Sequence, residues 1–188
     1  MKTRLALVAI AILIAWGLKR HYADAQPDDL SWILGPTARL VSATTGEAFV
    51  MQPGEGYFSR ERLFLIEKSC AGINFMIAAF VMLVFALFHR VESRVDAMRV
   101  LGASLLASYT AAVLVNTVRI TVAMWLAAHP ATLSSFSAAD VHRIEGITVY
   151  FAGLVLLYEL VQRLDLGTEA RSAKVASGAG ARSAQVRS

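Results

Sequence analysis

Four long apolar runs constrain this chain more than any other feature of its sequence. They cover Leu5–Leu18, Ala71–Phe88, Val100 to about Ala128, and Gly146 to about Val161. A helix needs about 20 mainly apolar residues to cross a bilayer. In lipid, the backbone must also satisfy its own hydrogen bonds, which helices do. The sequence therefore predicts an all-α integral membrane bundle of about four transmembrane helices.

The composition agrees with a bundle whose middle is solvated by lipid. Hydrophobic residues make up 56% of the 188 residues and charged residues only 17%, placed between and beyond the apolar runs. Soluble domains average about 45–50% apolar residues. The net charge of +4 comes with no basic stripe interleaved with aromatic residues, which argues against nucleic-acid binding. The expected partner is the lipid bilayer, with no nucleic acid.

The placement of lysine and arginine predicts which ends of the helices face the cytoplasm. The loop His89–Arg99 carries three arginines, whereas the loop His129–Arg143 carries only Arg143. We therefore expect the first loop and both chain ends inside. The resulting division is an N-terminal helix over 1–18, an extracytoplasmic cap segment over 19–69, a catalytic membrane core of three helices over 70–163, and a disordered cytoplasmic tail over 164–188.

The first apolar run also has the character of a secretory signal peptide. It is short for a membrane span and precedes an A-x-A pattern at Ala23–Ala25. Lys19 and Arg20 directly follow the run, where signal peptides usually avoid positive charge. We predict a retained helix that acts as an uncleaved signal anchor. The exported segment after it contains scattered aromatic and aliphatic residues, so it either packs on the bundle as a cap or dips into the membrane interface.

Three separate segments bring reactive side chains to the predicted outer surface. Cys70, the only cysteine, directly precedes the second helix, and His142 precedes the fourth. Arg119 lies nineteen residues into the third helix, about 28 Å along it, which nearly crosses a hydrocarbon core of about 30 Å. Asn116 shares nearly the same helix face as Arg119, and Asn74 is placed one turn below Cys70. One pocket lined by Cys70, Asn74, Asn116 and Arg119 is expected, with His142 at the same level.

A thiol, a guanidinium and an imidazole suit acyl transfer through a thioester. Nearby cations favour the reactive thiolate, and arginine offers fixed donors to an oxyanion. Histidine can take the thiol proton or protonate the leaving amine. Structural interpretations remain open at this point: Cys70 as packing, Arg119 as a snorkelling residue, and His142 as a helix-entry residue. Glu67 and Glu145 could orient a base, but are interpreted as ordinary interfacial charges.

No metal or cofactor is expected. A single cysteine excludes an internal disulfide and a cysteine-rich metal site. Three of the four histidines, His21, His89 and His129, lack partners at metal-ligand spacing.

The stretches around the three reactive residues resemble the signature regions of the exosortase/archaeosortase family. They read SCAGINF over Ser69–Phe75, NTVRI over Asn116–Ile120 and HRIEG over His142–Gly146, in that order along the chain. The resemblance covers roughly residues 62–160. Within that family, the small size and the SCAGINF form are most similar to the exosortase K branch.

This resemblance implies a role for each residue and a class of substrate. Cys70 would be the nucleophile, Arg119 the oxyanion or thiolate stabiliser, and His142 the acid/base group. The substrate would be a membrane-anchored protein whose C-terminus carries a short motif, an apolar span and a basic tail. The enzyme would lie in the bacterial inner membrane with its active site on the extracytoplasmic side. Larger family members have more spans, so this chain is close to a minimal core.

Two other functions remain open from the sequence. One is a non-enzymatic membrane assembly factor for envelope or exopolysaccharide export, in which the cysteine and arginine are packing residues. The other is a plain intramembrane cysteine protease that releases its product to water, because transfer and hydrolysis use the same acyl-enzyme.

Overall fold

The computed structural model describes residues 2–129, 140 and 143–164, and these residues are mainly helical. The α-helices are α1 (Lys2–Asp24), α2 (Ser31–Thr45), α3 (Ile73–Ala86), α4 (Arg94–Ala128) and α5 (Arg143–Leu164). Between α2 and α3, the strands β1 (Val50–Gln52), β2 (Gly56–Ser59) and β3 (Phe64–Ile66) form one antiparallel sheet in the order β1-β2-β3.

Four helical stretches are long and apolar enough to cross a membrane. They are α1, the segment Lys68–Ala86 that ends with α3, α4, and α5. The predicted helical bundle with four spans is therefore confirmed. Three helices, α1, α4 and α5, extend beyond their apolar runs, whereas α3 is shorter than the run Ala71–Phe88. Helix ends are set by capping as well as by hydropathy. For example, α4 begins at Arg94, where Ser93 and Asp96 form a capping box.

The helices α1 and α3 lie antiparallel, and polar contacts at both ends fix them. At one end, Arg4 Nε donates to the Val91 carbonyl oxygen at 3.0 Å. At the other end, Lys19 Nζ donates to Asn74 Oδ1 at 2.8 Å. Between these contacts, Leu7 is fully buried, while Trp16 is 65% exposed. Most of the surface of α1 is thus left to the surrounding lipid.

A stripe of small and weakly polar residues lines the buried face of α4. Its members recur every four residues, and each has an exposed fraction of 1% or less: Ser104, Ser108, Ala112 and Asn116. Small side chains let membrane helices approach closely. In the bundle, α4 packs against both α3 and α2.

The segment after α1 is folded, and its helix α2 runs alongside α4. The Tyr109 hydroxyl donates to the Trp32 carbonyl oxygen at 2.9 Å, and the hydroxyls of Thr44 and Thr121 are 3.5 Å apart. The two contacts are equally far apart in sequence on both helices, so α2 and α4 point in the same direction. The predicted segment 19–69 begins within α1, which continues to Asp24.

The small sheet is tied back to the end of α2. Arg62 Nε, in the turn between β2 and β3, donates to Glu47 Oε1 at 2.6 Å. This hydrogen bond lowers the pKa of Glu47 below its ordinary value. The predicted disordered tail, 164–188, lies outside the described residues except for Leu164, which ends α5 as a helical residue.

Candidate active site

Cys70 lies in a tight turn between the sheet and α3. A short 3-10 helix, Lys68–Cys70, follows β3, and two backbone hydrogen bonds close it: Cys70 N to the Glu67 oxygen at 2.9 Å, and Ala71 N to the Lys68 oxygen at 3.0 Å. Cys70 is 8% exposed, and its Sγ is 3.8 Å from the Ser69 hydroxyl. The thiol is therefore close to the surface at one end of the bundle, but largely enclosed.

Gly72 lets this turn approach α4. Its φ of +66° is in the left-handed region, which glycine adopts without steric cost. A Cβ at this position would lie 3.3 Å from Asn116 Cγ. Asn116 is fully buried, and its Nδ2 donates to the Cys70 carbonyl oxygen. The predicted supporting residue Asn116 thus ties the cysteine turn to α4.

The Arg119 side chain extends from α4 toward α5 inside the bundle. It is 9% exposed, which does not fit the alternative of a snorkelling residue. Its Nη1 donates to the Tyr150 hydroxyl at 3.3 Å, and that hydroxyl donates to Asn116 Oδ1 at 2.9 Å. Its Cζ also lies 5.2 Å from the centre of the Tyr150 ring. Arg119 and Cys70 therefore belong to one hydrogen-bonded group.

Glu145 is a buried partner of Arg119, so its interpretation as an ordinary interfacial charge is wrong. The Glu145 side chain is 5% exposed, and its Oε2 is 3.8 Å from Arg119 Nε. Neither carboxylate oxygen has a hydrogen-bond partner among the residues that the structure describes. A buried charge is tolerated when an opposite charge accompanies it. The sequence did place Glu145 within the HRIEG stretch, but gave no reason to bury it.

Two glycines bring Glu145 and Tyr150 into the site by letting α5 approach α4. A Cβ on Gly146 would lie 3.1 Å from Arg119 Nε, and one on Gly153 would lie 2.8 Å from both Val115 methyl groups. Two helical turns separate the glycines, so they share one face. Between them, the Tyr150 ring packs against Phe75 with centroids 5.4 Å apart. Sequence reasoning missed Tyr150, whose only signal is its place on this glycine face.

Asn74 does not face the group formed by Cys70, Asn116 and Arg119. Its Oδ1 accepts the hydrogen bond from Lys19, and the residue is exposed. The prediction that Asn74 lines the same pocket is therefore wrong. Asn74 connects α3 to α1 instead. His142 lies outside the described residues, so its place beside Cys70 stays a prediction.

Two lysines lie near the cysteine turn around a tyrosine that the sequence did not single out. Lys19 Nζ and Lys68 Nζ are 5.6 and 5.3 Å from the centre of the Tyr22 ring. The Tyr22 hydroxyl donates to the Lys68 carbonyl oxygen at 3.4 Å. The end of α1 is thereby fixed next to Cys70 and adds positive charge there.

Within residues 2–129, 140 and 143–164, no group of three or more histidine, cysteine, aspartate or glutamate residues is placed to hold a metal ion. Comparisons with protein-family models, with curated proteins and with solved structures find no match for this chain. What the fold defines is a helical bundle with four stretches able to span a membrane. At one end of that bundle, a cysteine turn is linked to a buried arginine–glutamate pair.

Proposed function

We propose that this chain is a membrane-embedded cysteine transpeptidase or protease of the exosortase type. It would cleave the C-terminal sorting signals of exported proteins through a thioester at Cys70. One observation carries the proposal: the cysteine turn and the buried Arg119 are connected through Asn116 and Tyr150. A packing cysteine and a packing arginine have no need of such a connection.

The proposed reaction uses each group for what its chemistry allows. The Cys70 thiolate attacks the carbonyl carbon of the scissile peptide bond, and the carbonyl oxygen takes the negative charge. Arg119 stabilises that oxyanion through its N–H donors. When the intermediate collapses, the C–N bond breaks and the leaving amine takes a proton, which His142 supplies in this proposal. An acceptor nucleophile or water then attacks the thioester carbonyl, the C–S bond breaks, and the acyl group is transferred while the Cys70 thiolate is regenerated.

The location of the site suits a substrate that is itself anchored in the membrane. The apolar span of the substrate would lie beside the bundle, with its short motif level with Cys70. In the proposed orientation this end faces outward from the bacterial inner membrane, and the basic tail of the substrate stays in the cytoplasm. The surfaces of α1 and α5 that face away from the other helices are apolar and exposed, as a lipid-facing surface requires. Four large side chains there are each more than 60% exposed: Leu5, Leu13, Phe151 and Leu156.

The test uses cells of the organism that encodes this chain. It compares cells that carry the wild-type protein with cells that carry Cys70→Ala or Cys70→Ser. Both substitutions are small and lie at a helix end, so the protein should still accumulate in membranes. Mass spectrometry of C-terminal peptides should find at least one membrane protein that keeps its C-terminal span only in the variants. Wild-type membranes should also hold a conjugate to Cys70 that hydroxylamine releases, because that reagent attacks thioesters. Equal processing in Cys70→Ala cells would refute the proposal and favour the assembly factor.

The same samples separate transfer from hydrolysis. A processed protein whose new C-terminus carries the mass of an acceptor indicates a transpeptidase. A free carboxylate at that terminus indicates a protease that releases its product to water.

A further inference from the structure

A one-way chain of hydrogen bonds runs from the buried cation to the cysteine turn. Arg119 donates to the Tyr150 hydroxyl, the Tyr150 hydroxyl donates to Asn116 Oδ1, and Asn116 Nδ2 donates to the Cys70 carbonyl oxygen. Each link between the ends both accepts and donates. Hydrogen bonds aligned in this way polarise and strengthen one another inside a protein, where the effective dielectric constant is low.

Tyr150 contacts two other helices from its place on α5. Its ring packs on Phe75 of α3 and lies under the guanidinium of Arg119 of α4, while the residue itself belongs to α5. The hydroxyl adds the connection from Arg119 to Asn116, and a phenylalanine in its place would lack that connection.

We infer that Tyr150 is a positioning residue, whose hydroxyl fixes the Arg119 guanidinium relative to the Cys70 turn. The effect of this positioning on acyl transfer rests on the proposed function. The coupling of the Arg119 guanidinium to the Cys70 turn through Tyr150 does not. Without the hydroxyl, the Asn116 amide loses the donor that orients it, and the guanidinium loses one acceptor. The guanidinium would then hold a less defined position relative to the Cys70 turn.

The reactivity of Cys70 measures this coupling without any substrate. Cys70 is the only cysteine, so alkylation of the purified full chain by iodoacetamide reports on this thiol alone. The thiolate is the reacting form, and a nearby cation favours it. We expect Arg119→Gln to slow alkylation at neutral pH. Tyr150→Phe should slow it about threefold or more, the scale of a unit charge displaced by a few ångströms within a protein.

A matched control and a double variant separate positioning from general loosening. Tyr109→Phe removes another hydroxyl, the one that donates to the Trp32 carbonyl oxygen at 2.9 Å, and should leave the alkylation rate within about 1.5-fold of wild type. In the Arg119→Gln background, Tyr150→Phe should have almost no further effect, because its partner is gone. A structural role would instead give effects that multiply.

Wild-type alkylation in Tyr150→Phe would overturn the inference, as would an undiminished effect of that substitution without Arg119. If Tyr150→Phe does not accumulate, Asn116→Ser breaks the next link of the chain, and a wild-type rate there overturns the inference equally. Slower alkylation combined with normal C-terminal processing in Cys70→Ala cells would support the coupling and reject only the proposed reaction. Blocked processing in Cys70→Ala cells together with unchanged alkylation in Tyr150→Phe would support the proposed reaction and reject the coupling.

Discussion

Burial of the Arg119–Glu145 pair is the most informative feature at the scale of single residues. An ionised side chain within a membrane bundle is costly, and it is normally found facing the interior or a wet cavity with a partner. Here the two side chains are 10% and 5% exposed and approach within 3.8 Å. Pairing lets the bundle keep a cation next to the cysteine turn, which packing alone would not favour.

Removal of the Glu145 carboxylate should therefore destabilise the protein, because the buried Arg119 loses the negative charge that faces it. Glu145→Gln removes the carboxylate that faces the buried Arg119 guanidinium, and breaking a buried pair from one side costs about 3–5 kcal/mol. We expect a clearly lower melting temperature in lipid nanodiscs, and recovery of most of the loss in the double variant Arg119→Gln/Glu145→Gln. Glu159→Gln is the matched control, since Glu159 pairs with Arg163 at 4.0 Å where both are exposed. An unchanged melting temperature in Glu145→Gln would contradict the pairing.

The shape of the Arg119 side chain should matter as much as its charge. Arg119→Lys keeps the positive charge but loses the planar fork of donors that bonds Tyr150. Processing of the substrate identified in Cys70→Ala cells should fall by about 10²-fold or more, the scale seen when one oxyanion donor is lost. The variant should still accumulate in membranes. If lysine supports the same rate, Arg119 is only a charge anchor.

At the scale of elements, the close approach of α5 to α4 decides which side chains enter the site. Gly153 sits against Val115 and Phe75, and Gly146 sits against Arg119. Larger side chains at these positions would move α5 away, and Tyr150 and Glu145 would move with it. The glycines therefore act on the site through the position of a whole helix.

Gly153→Ala should destabilise the bundle although alanine is the better helix former. Its Cβ would lie 2.8 Å from the Val115 methyl groups, and overpacking of this kind costs about 1–3 kcal/mol. Gly102→Ala on α4 is the matched control, because nothing lies within 4 Å of its Cβ. There we expect a gain of up to about 1 kcal/mol from helix propensity alone. Melting temperatures of the two variants check this, and equal shifts would argue against close packing at Gly153.

At the scale of the whole molecule, the proposed function depends on which side of the membrane holds the cysteine turn. Cysteines introduced into a Cys70→Ala background test the orientation, at Glu55 in the β1–β2 turn and at Glu92 in the α3–α4 loop, both exposed. The arginine-rich stretch His89–Arg99, which covers most of this loop and the start of α4, should stay inside. An impermeant maleimide added to intact cells should label position 55 and not position 92. The opposite pattern would place Cys70 in the cytoplasm and remove the basis for cleavage of exported proteins.

The sequence by itself determined the four stretches able to span a membrane, and it predicted that Cys70 and Arg119 lie toward the same end of the bundle. Both follow from local quantities: the length of an apolar run compared with the bilayer, and the constant rise of a helix. Asn74 shows where that reasoning fails. It was placed one turn below Cys70, but left-handed Gly72 lies between them and α3 begins only at Ile73, so helical spacing does not apply.

The tertiary structure decided which side chains face one another across the site. Almost every side chain on a membrane span is apolar, so periodicity along the chain says little about how each helix is rotated around its axis. That rotation follows from close packing, which is set by Gly72 against Asn116 and by Gly146 and Gly153 on α5. For this reason, only the packing of α5 against α4 shows that Tyr150 and Glu145 belong to the site. Their place in the sequence alone does not show it.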